Sequence, residues 1–161
     1  MPGPDAFEAI VARLDYPMFI VTAAAGAERD GCLVGFAAQC SIDPPRFVVW
    51  LSDKNRTYRI ARGAETLVVH LVPEERRDLA ELFGGVTADA EDKLGRCAWH
   101  PGPGGAPVLD ACPDWFAGRV RERVPGGDHV GFVLDPIDGE NGGGAPLTFQ
   151  RVRDVDAGHP A

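Results

Sequence analysis

Apolar and polar positions alternate over short runs along most of this chain, and the runs predict more strands than helices. The start is an exception. From Asp5 to Leu14, the residues Phe7, Ile10, Val11 and Leu14 share one face at helical spacing, with Asp5 as N-cap and Glu8 completing a capping box. Pro17 ends that helix. Met18 to Ala24 is apolar and β-branched, which predicts a buried strand. A polar turn from Gly26 to Gly31 leads into a second strand from Cys32 to about Gln39. Asp43-Pro44-Pro45 stops strand pairing, because neither proline carries an N–H. Phe47 to Leu51 reads as another buried strand. Lys54-Asn55-Arg56-Thr57 opens a short helix to about Arg62, with Ser52 or Asp53 as cap and Gly63 closing it. Leu67 to Val72 is again a strand, and Pro73, Glu74 and Glu75 suit the first turn of a helix that runs to Phe83.

Gly84 to Gly105 is the least regular part, with only a turn of helix predicted at Asp92 to Leu94. Trp115 to Val124 and His129 to Leu134 read as strands joined by a hairpin-like turn at Pro125-Gly126-Gly127-Asp128. Leu147 to Val152 predicts a last strand, and the tail from Arg153 onward is expected to fray. Many short strands with two or three helices, not in strict β-α alternation, predict a mostly β fold with helical additions. The arrangement expected is an antiparallel barrel in one domain over 1–161, its core at about 16–152. The glycine-rich strand-to-helix turn of a dinucleotide-binding parallel sheet is missing.

A length of 161 residues fits that one domain, and a formal charge of −8 disfavours a nucleic-acid binder or an anionic membrane surface. No apolar run approaches the roughly 20 residues of a membrane span. MPGPDAFEAI lacks the basic start of a secretion signal, and Cys32, Cys40, Cys97 and Cys112 are too scattered for a disulfide framework; the expectation is a cytoplasmic protein with reduced thiols. Cys97, His100 and Cys112 resemble part of a zinc site but have no evident fourth ligand, so no metal site is assigned. Trp50, Trp99 and Trp115 read as core or interface aromatics.

Chemistry concentrates between Gly31 and Thr57. Ser52, Lys54, Arg56 and Thr57 bring hydroxyls and cations to a predicted helix start, which are the groups a phosphate needs. Arg56 suits a two-oxygen grip and Lys54 a point charge. Ser41 adds a hydroxyl beside the Asp-Pro-Pro corner, where capping the turn is an equal alternative. Cys40 reads as a small filler rather than a nucleophile.

Taken in order, YPMFIVTAAAG, GFAAQCSIDPPRFVVWLS, KNRTYRIA, TLVVHLV with a helix ending LAELFGG, Pro107-Val108-Leu109 and Gly127-Asp128-His129 make the chain similar to the flavin reductase-like family, from about Tyr16 to Phe149. The resemblance implies an FMN-binding split β-barrel and NAD(P)H-dependent reduction of FMN or FAD, by hydride transfer to flavin N5. It also implies a homodimer with flavin near the subunit interface, Gly84 to Gly105 as lid or dimer contact, and a partner monooxygenase for the reduced flavin. Ser52, Lys54, Arg56 and Thr57 would then hold the phosphate with Ser41 in support. Backbone groups along Val34, Gly35, Phe36, Ala38, Gln39 and Cys40 would face the ring, and His129 would place the nicotinamide. Many members carry hydroxyl residues where this chain has Gly35, Phe36 and Ala38. That departure motivates an alternative, a non-catalytic split-barrel module for flavin, deazaflavin or haem.

Overall fold

The fold is seen in a computed structural model, which describes residues 2–85 and 92–155. Seven strands form one antiparallel sheet: β1 (Phe19–Ala25), β2 (Glu28–Val34), β3 (Ala37–Ser41), β4 (Arg46–Ser52), β5 (Thr66–Leu71), β8 (Trp115–Pro125) and β9 (His129–Glu140). Their order is β2-β1-β5-β8-β9-β4-β3, so β2 and β3 are edges and the ladder does not close on itself. This is the split barrel the sequence predicts. A two-stranded ribbon, β6 (Trp99–Pro101) with β7 (Pro107–Leu109), lies against it.

The period of two along each strand divides the core. Val21, Ala23, Cys32, Val34, Val49, Leu51, Val69 and Phe132 fill the barrel, and Ile60 and Ala61 of α2 (Arg56–Ala61) pack into the same cluster. The opposite face of β1 turns Ile20 toward Leu79, Ala80 and Phe83 of α3 (Arg77–Gly84), together with Leu109 and Leu147. His70 ties these layers together. Leu109 N–H donates to its Nε2 at 3.0 Å, which requires Nδ1 to carry the proton and donate to the Ile20 carbonyl at 2.8 Å.

Several predicted boundaries move. α1 (Gly3–Val11) starts behind Pro2 with no side-chain cap, so Asp5 lies inside its first turn. The strand expected from Cys32 to Gln39 is two strands, because the chain turns at Gly35-Phe36 and Phe36 C=O accepts the Trp50 N–H at 2.9 Å. A Cβ on Gly35 would come within 2.9 Å of the Tyr16 ring, a contact only glycine allows there. Pro73 does not open a helix: it bridges to Pro146, and α3 begins at Arg77. Leu147 to Val152 is not a strand but a bridge at Thr148 and one 3₁₀ turn at Phe149–Arg151. Within the expected tail, Asp154 pairs with Arg77 at 3.1 Å, and 156–161 lie outside the described residues.

The segment after β9 is held by one side chain. Asp114 accepts N–H groups from Gly142, Gly143 and Gly144 at 2.6, 2.9 and 3.2 Å, and these bonds, Gly143 foremost, hold its carboxyl below the usual range. Among the described residues no helix is long and apolar enough to cross a membrane.

Complete burial pushes the His70 pKa down to about 4, so the native ring stays neutral where an unfolded chain would already be protonated. The unfolded state therefore binds more protons between about pH 6.5 and 4, and stability is full above that window and falls through it. Urea unfolding of the wild type should lose about 3 kcal/mol to this group between pH 7 and 4. His70→Gln should show a correspondingly shallower acid slope.

Candidate functional site

Strand register decides which of the sequence-predicted residues meet. Ser52 on β4 is directly opposite His129 on β9, and Asp53 N–H donates to the Asp128 carbonyl at 2.9 Å. The start of α2 and the β8-β9 turn are therefore one structure. Trp50 seats that turn: a Cβ on Gly126 or Gly131 would lie 2.6 or 2.9 Å from its ring. The neighbouring Phe36, 55% exposed, lays its ring against His129 with centroids 5.1 Å apart. Val34, Gly35, Phe36, Ser52 and His129 consequently share one end of the split, with Lys54 and Arg56 following Ser52 directly.

Other predicted residues fall elsewhere. Ser41 pairs with Arg46, six residues along β4 from Ser52 and therefore about 20 Å away within one chain. Gln39 and Cys40 go with it, and Gln39 Nε2 is already donated to the Ser41 carbonyl at 3.1 Å. Ala38, opposite Val48, lies between the two groups. Thr57 is fully buried on the inner face of α2, and its hydroxyl has no hydrogen-bond partner among the described residues. It supports the helix from inside, out of a ligand's reach. The α2 cap is Asn55, not Ser52 or Asp53, with Oδ1 accepting the Thr57 N–H at 2.7 Å. Ser52 Oγ instead accepts the Lys54 N–H at 3.3 Å and keeps its own proton to donate.

Two site-forming residues escape the sequence reading. Asp30 is 2% exposed, and Lys93 is 1% exposed. Lys93 Nζ stands 3.1 Å from Asp30 Oδ1 and donates to the Gly31 carbonyl at 2.5 Å, while Asp30 Oδ1 accepts the Gly31 N–H at 2.8 Å. The pair thus completes the hydrogen bonding of Gly31 on the open edge of β2. Arg56 Nη1 lies 3.7 Å from the other Asp30 oxygen, which steers the guanidinium to this edge while leaving its side chain 40% exposed. Lys54 is 52% exposed beside Asp53 at 3.8 Å. The sequence signal was slight, since Asp30 falls in a stretch that reads as turn and Lys93 in the least regular segment.

His129 has one nitrogen committed. Its Nδ1 is 2.8 Å from Asp128 Oδ1, and that hydrogen bond holds the Asp128 carboxyl below the ordinary range. An ionised Asp128 accepts Nδ1–H, which leaves Nε2 of the neutral ring as an acceptor. Cys112 and Cys97 are unreactive by environment: burial pushes the Cys112 thiol up to about 12 and raises Cys97 as well. His100 is bound to Asp110 at 2.8 Å, and among the described residues no group of three His, Cys, Asp or Glu side chains is placed to hold a metal.

A split antiparallel barrel with exposed cations beside a buried serine and a part-buried histidine is the class of domain the fold and these residues describe, and similarity to known proteins narrows it. Residues 11–158 match the model of the flavin reductase like domain, and the chain belongs to that family. It is 29% identical over 128 residues to the FMN reductase (NADH) RutF of Agrobacterium fabrum, covering 80% of this chain and 73% of that protein. It is 27% identical over 147 residues to the reductase component of the 4-nitrophenol 4-monooxygenase/4-nitrocatechol 2-monooxygenase of Rhodococcus opacus, covering 91% and 77%. In fold it is similar to the flavin reductase domain protein of Arthrobacter sp. FB24, with a TM-score of 0.81 at 20% identity over 92% of this chain and 91% of that one.

Removing the buried carboxylate tests the edge network. Asp30→Asn leaves the Lys93 charge without its counter-charge and should cost about 3–5 kcal/mol of unfolding free energy in urea titrations.

Proposed function

We propose that this protein is an NAD(P)H-dependent flavin reductase acting on FMN, with FAD as the other flavin the fold can take. The observation that carries the reading is the strand register that sets Ser52 opposite His129 and beside the Phe36 ring, with Lys54 just beyond Ser52 and Arg56 turned to Asp30 on β2. These residues fit a flavin phosphate and ring by the chemistry of their donors: a guanidinium and an ammonium for phosphate oxygens, a hydroxyl, and main-chain groups of Val34 to Phe36 for the ring. When bound, the flavin supplies the hydride-accepting ring.

The protein's own part is placement. Arg56, held toward the seam by Asp30, grips phosphate oxygens, and Lys54 adds charge. Ser52 donates its hydroxyl. His129, oriented by Asp128, offers Nε2 to the carboxamide of the nicotinamide. Phe36 sets its ring at a tilt against the same imidazole, 5.1 Å between centroids, and limits how that ring can turn. No general acid or base is needed, because hydride transfer asks chiefly for close approach and alignment. The reading extends to a cytoplasmic homodimer in which a second copy covers the exposed Phe7 and Ile10 of α1 and Leu14 just beyond it, and to a monooxygenase that consumes the reduced flavin.

Anaerobic mixing of the FMN-loaded protein with NADH or NADPH tests the reading. Bleaching of the flavin band near about 450 nm at a catalytic rate is expected; a bound flavin that stays oxidised would make the protein a binding module instead. Arg56→Ala should weaken FMN binding by about 1–3 kcal/mol in a fluorescence titration. His129→Ala should raise the KM for the nicotinamide roughly 2–10-fold, the scale of one lost hydrogen bond.

A further inference from the structure

At the opposite end of α2 from Arg56, about 9 Å along the helix axis, a cleft of about 470 Å³ opens between the loop after α2 and β8. We propose that this cleft binds a small polycarboxylate, a compact anion with two or more carboxylate groups and no base to stack. The proposal stands apart from the flavin-site reading, because none of its residues belongs to that site.

Charge carries the argument. Arg62, Arg119 and Arg123 line the cleft with one carboxylate, Glu65. The chain has 24 acidic residues against 16 basic ones, and Arg46, Arg56, Arg76, Arg77 and Arg121 each stand beside a carboxylate. The three arginines of the cleft do not. Among the described residues none of them has an ion-pair partner, and Glu65 on the same wall pairs with none of them. Three like charges around one hollow repel, and an anion that enters relieves the repulsion.

Two of the guanidinium groups are held ready. Arg123 Nη2 donates to the carbonyls of Ala61, Arg62 and Ala64 at 3.4, 3.1 and 3.2 Å, which closes the C-terminal end of α2. Its Cζ lies 5.5 Å from the Phe132 ring centre, and its Nε and Nη1 have no acceptor among the described residues. Arg62 Cζ lies 5.5 Å from the Tyr58 ring centre. A guanidinium laid on a ring keeps its N–H edge for a ligand and loses little freedom on binding.

The same walls select the ligand. Each planar fork matches the two oxygens of a carboxylate. Forks anchored at the end of α2 and at two positions on β8 call for charge spread over a molecule rather than gathered on one group. Glu65 acts in the same direction, since it repels a densely charged phosphate most. Among the described residues no aromatic ring lines the cleft, Phe132 is fully buried and Tyr58 is faced by Arg62, so a nucleotide base finds no platform.

Calorimetric titration with citrate at low ionic strength tests the proposal. Citrate should bind the wild type, and acetate at about ten times the concentration should not displace it, because a single carboxylate lacks the linked second contact. Arg62→Ala and Arg119→Ala should each weaken citrate by at least roughly 5-fold. Both side chains are exposed, so urea unfolding should stay as in the wild type. Glu65→Gln should tighten citrate, a gain that damage to the fold does not produce. Absence of citrate binding, an affinity unchanged in both arginine variants, or displacement by acetate at that ratio would overturn the proposal. Displacement of citrate by FMN or ADP would overturn it too, by making the cleft part of a nucleotide site. A protein that binds citrate here and reduces no flavin would sink the reading of the flavin site and leave this one standing.

Discussion

Asp30 carries a charge into the edge of a sheet, where it is withdrawn from water and where β2 has a strand partner on one side only. Burial of a carboxylate costs several kcal/mol unless it is paired and hydrogen-bonded, and an unpaired edge invites another chain. Lys93 answers both problems at once. Its ammonium neutralises the carboxylate and occupies the Gly31 carbonyl, while the carboxylate takes the Gly31 N–H. The same contact pulls the 3₁₀ turn at Lys93–Arg96 against the barrel and gives Arg56 a fixed counter-charge. A hydrophobic pair would leave the Gly31 N–H and C=O unpaired and would not aim a guanidinium. The ion pair is best understood as a positioning device whose reward is geometry.

The other half of the site depends on register. A one-residue slip between β4 and β9 would separate Ser52 from His129 and turn His129 to the opposite face of the sheet. Trp50 guards against it, because its ring occupies the space that side chains at Gly126 and Gly131 would need. Bulges in the β8-β9 pairing, between Ala117 and Gly118 and between Val120 and Glu122, let the long hairpin bend around the barrel while its tip keeps register with β4. The part of the molecule that presents His129 is thus rigid by packing, although it is a turn.

Much of this was legible in the sequence, and the failures have specific causes. Short apolar runs bounded by Gly and Pro gave the strands, and the ordered landmarks gave the barrel and its family. The Ser52 to Arg56 segment stands out as a candidate because hydroxyl and cationic residues cluster there without any fold being assumed. Ser41 and Thr57 lie apart from Ser52 and His129 within one chain, which stays hidden in the sequence because residue type says nothing about distance or exposure. Ser41 is at the far end of a strand pairing, and Thr57 faces inward with Ile60. Asp30 and Lys93 are 63 positions apart and meet only through the fold. The split of one apolar run into β2 and β3 was hidden because Gly35 and Phe36 do not break the hydropathy pattern. Only the approach of Tyr16 shows why the glycine is there.

The carboxylate that clasps the three consecutive glycines has a meaning beyond holding a loop. Converging main-chain amides attract phosphate wherever they are left vacant. By seating its own tethered anion there, at a local concentration no dissolved nucleotide can match, the protein blinds a competing receptor on its own surface.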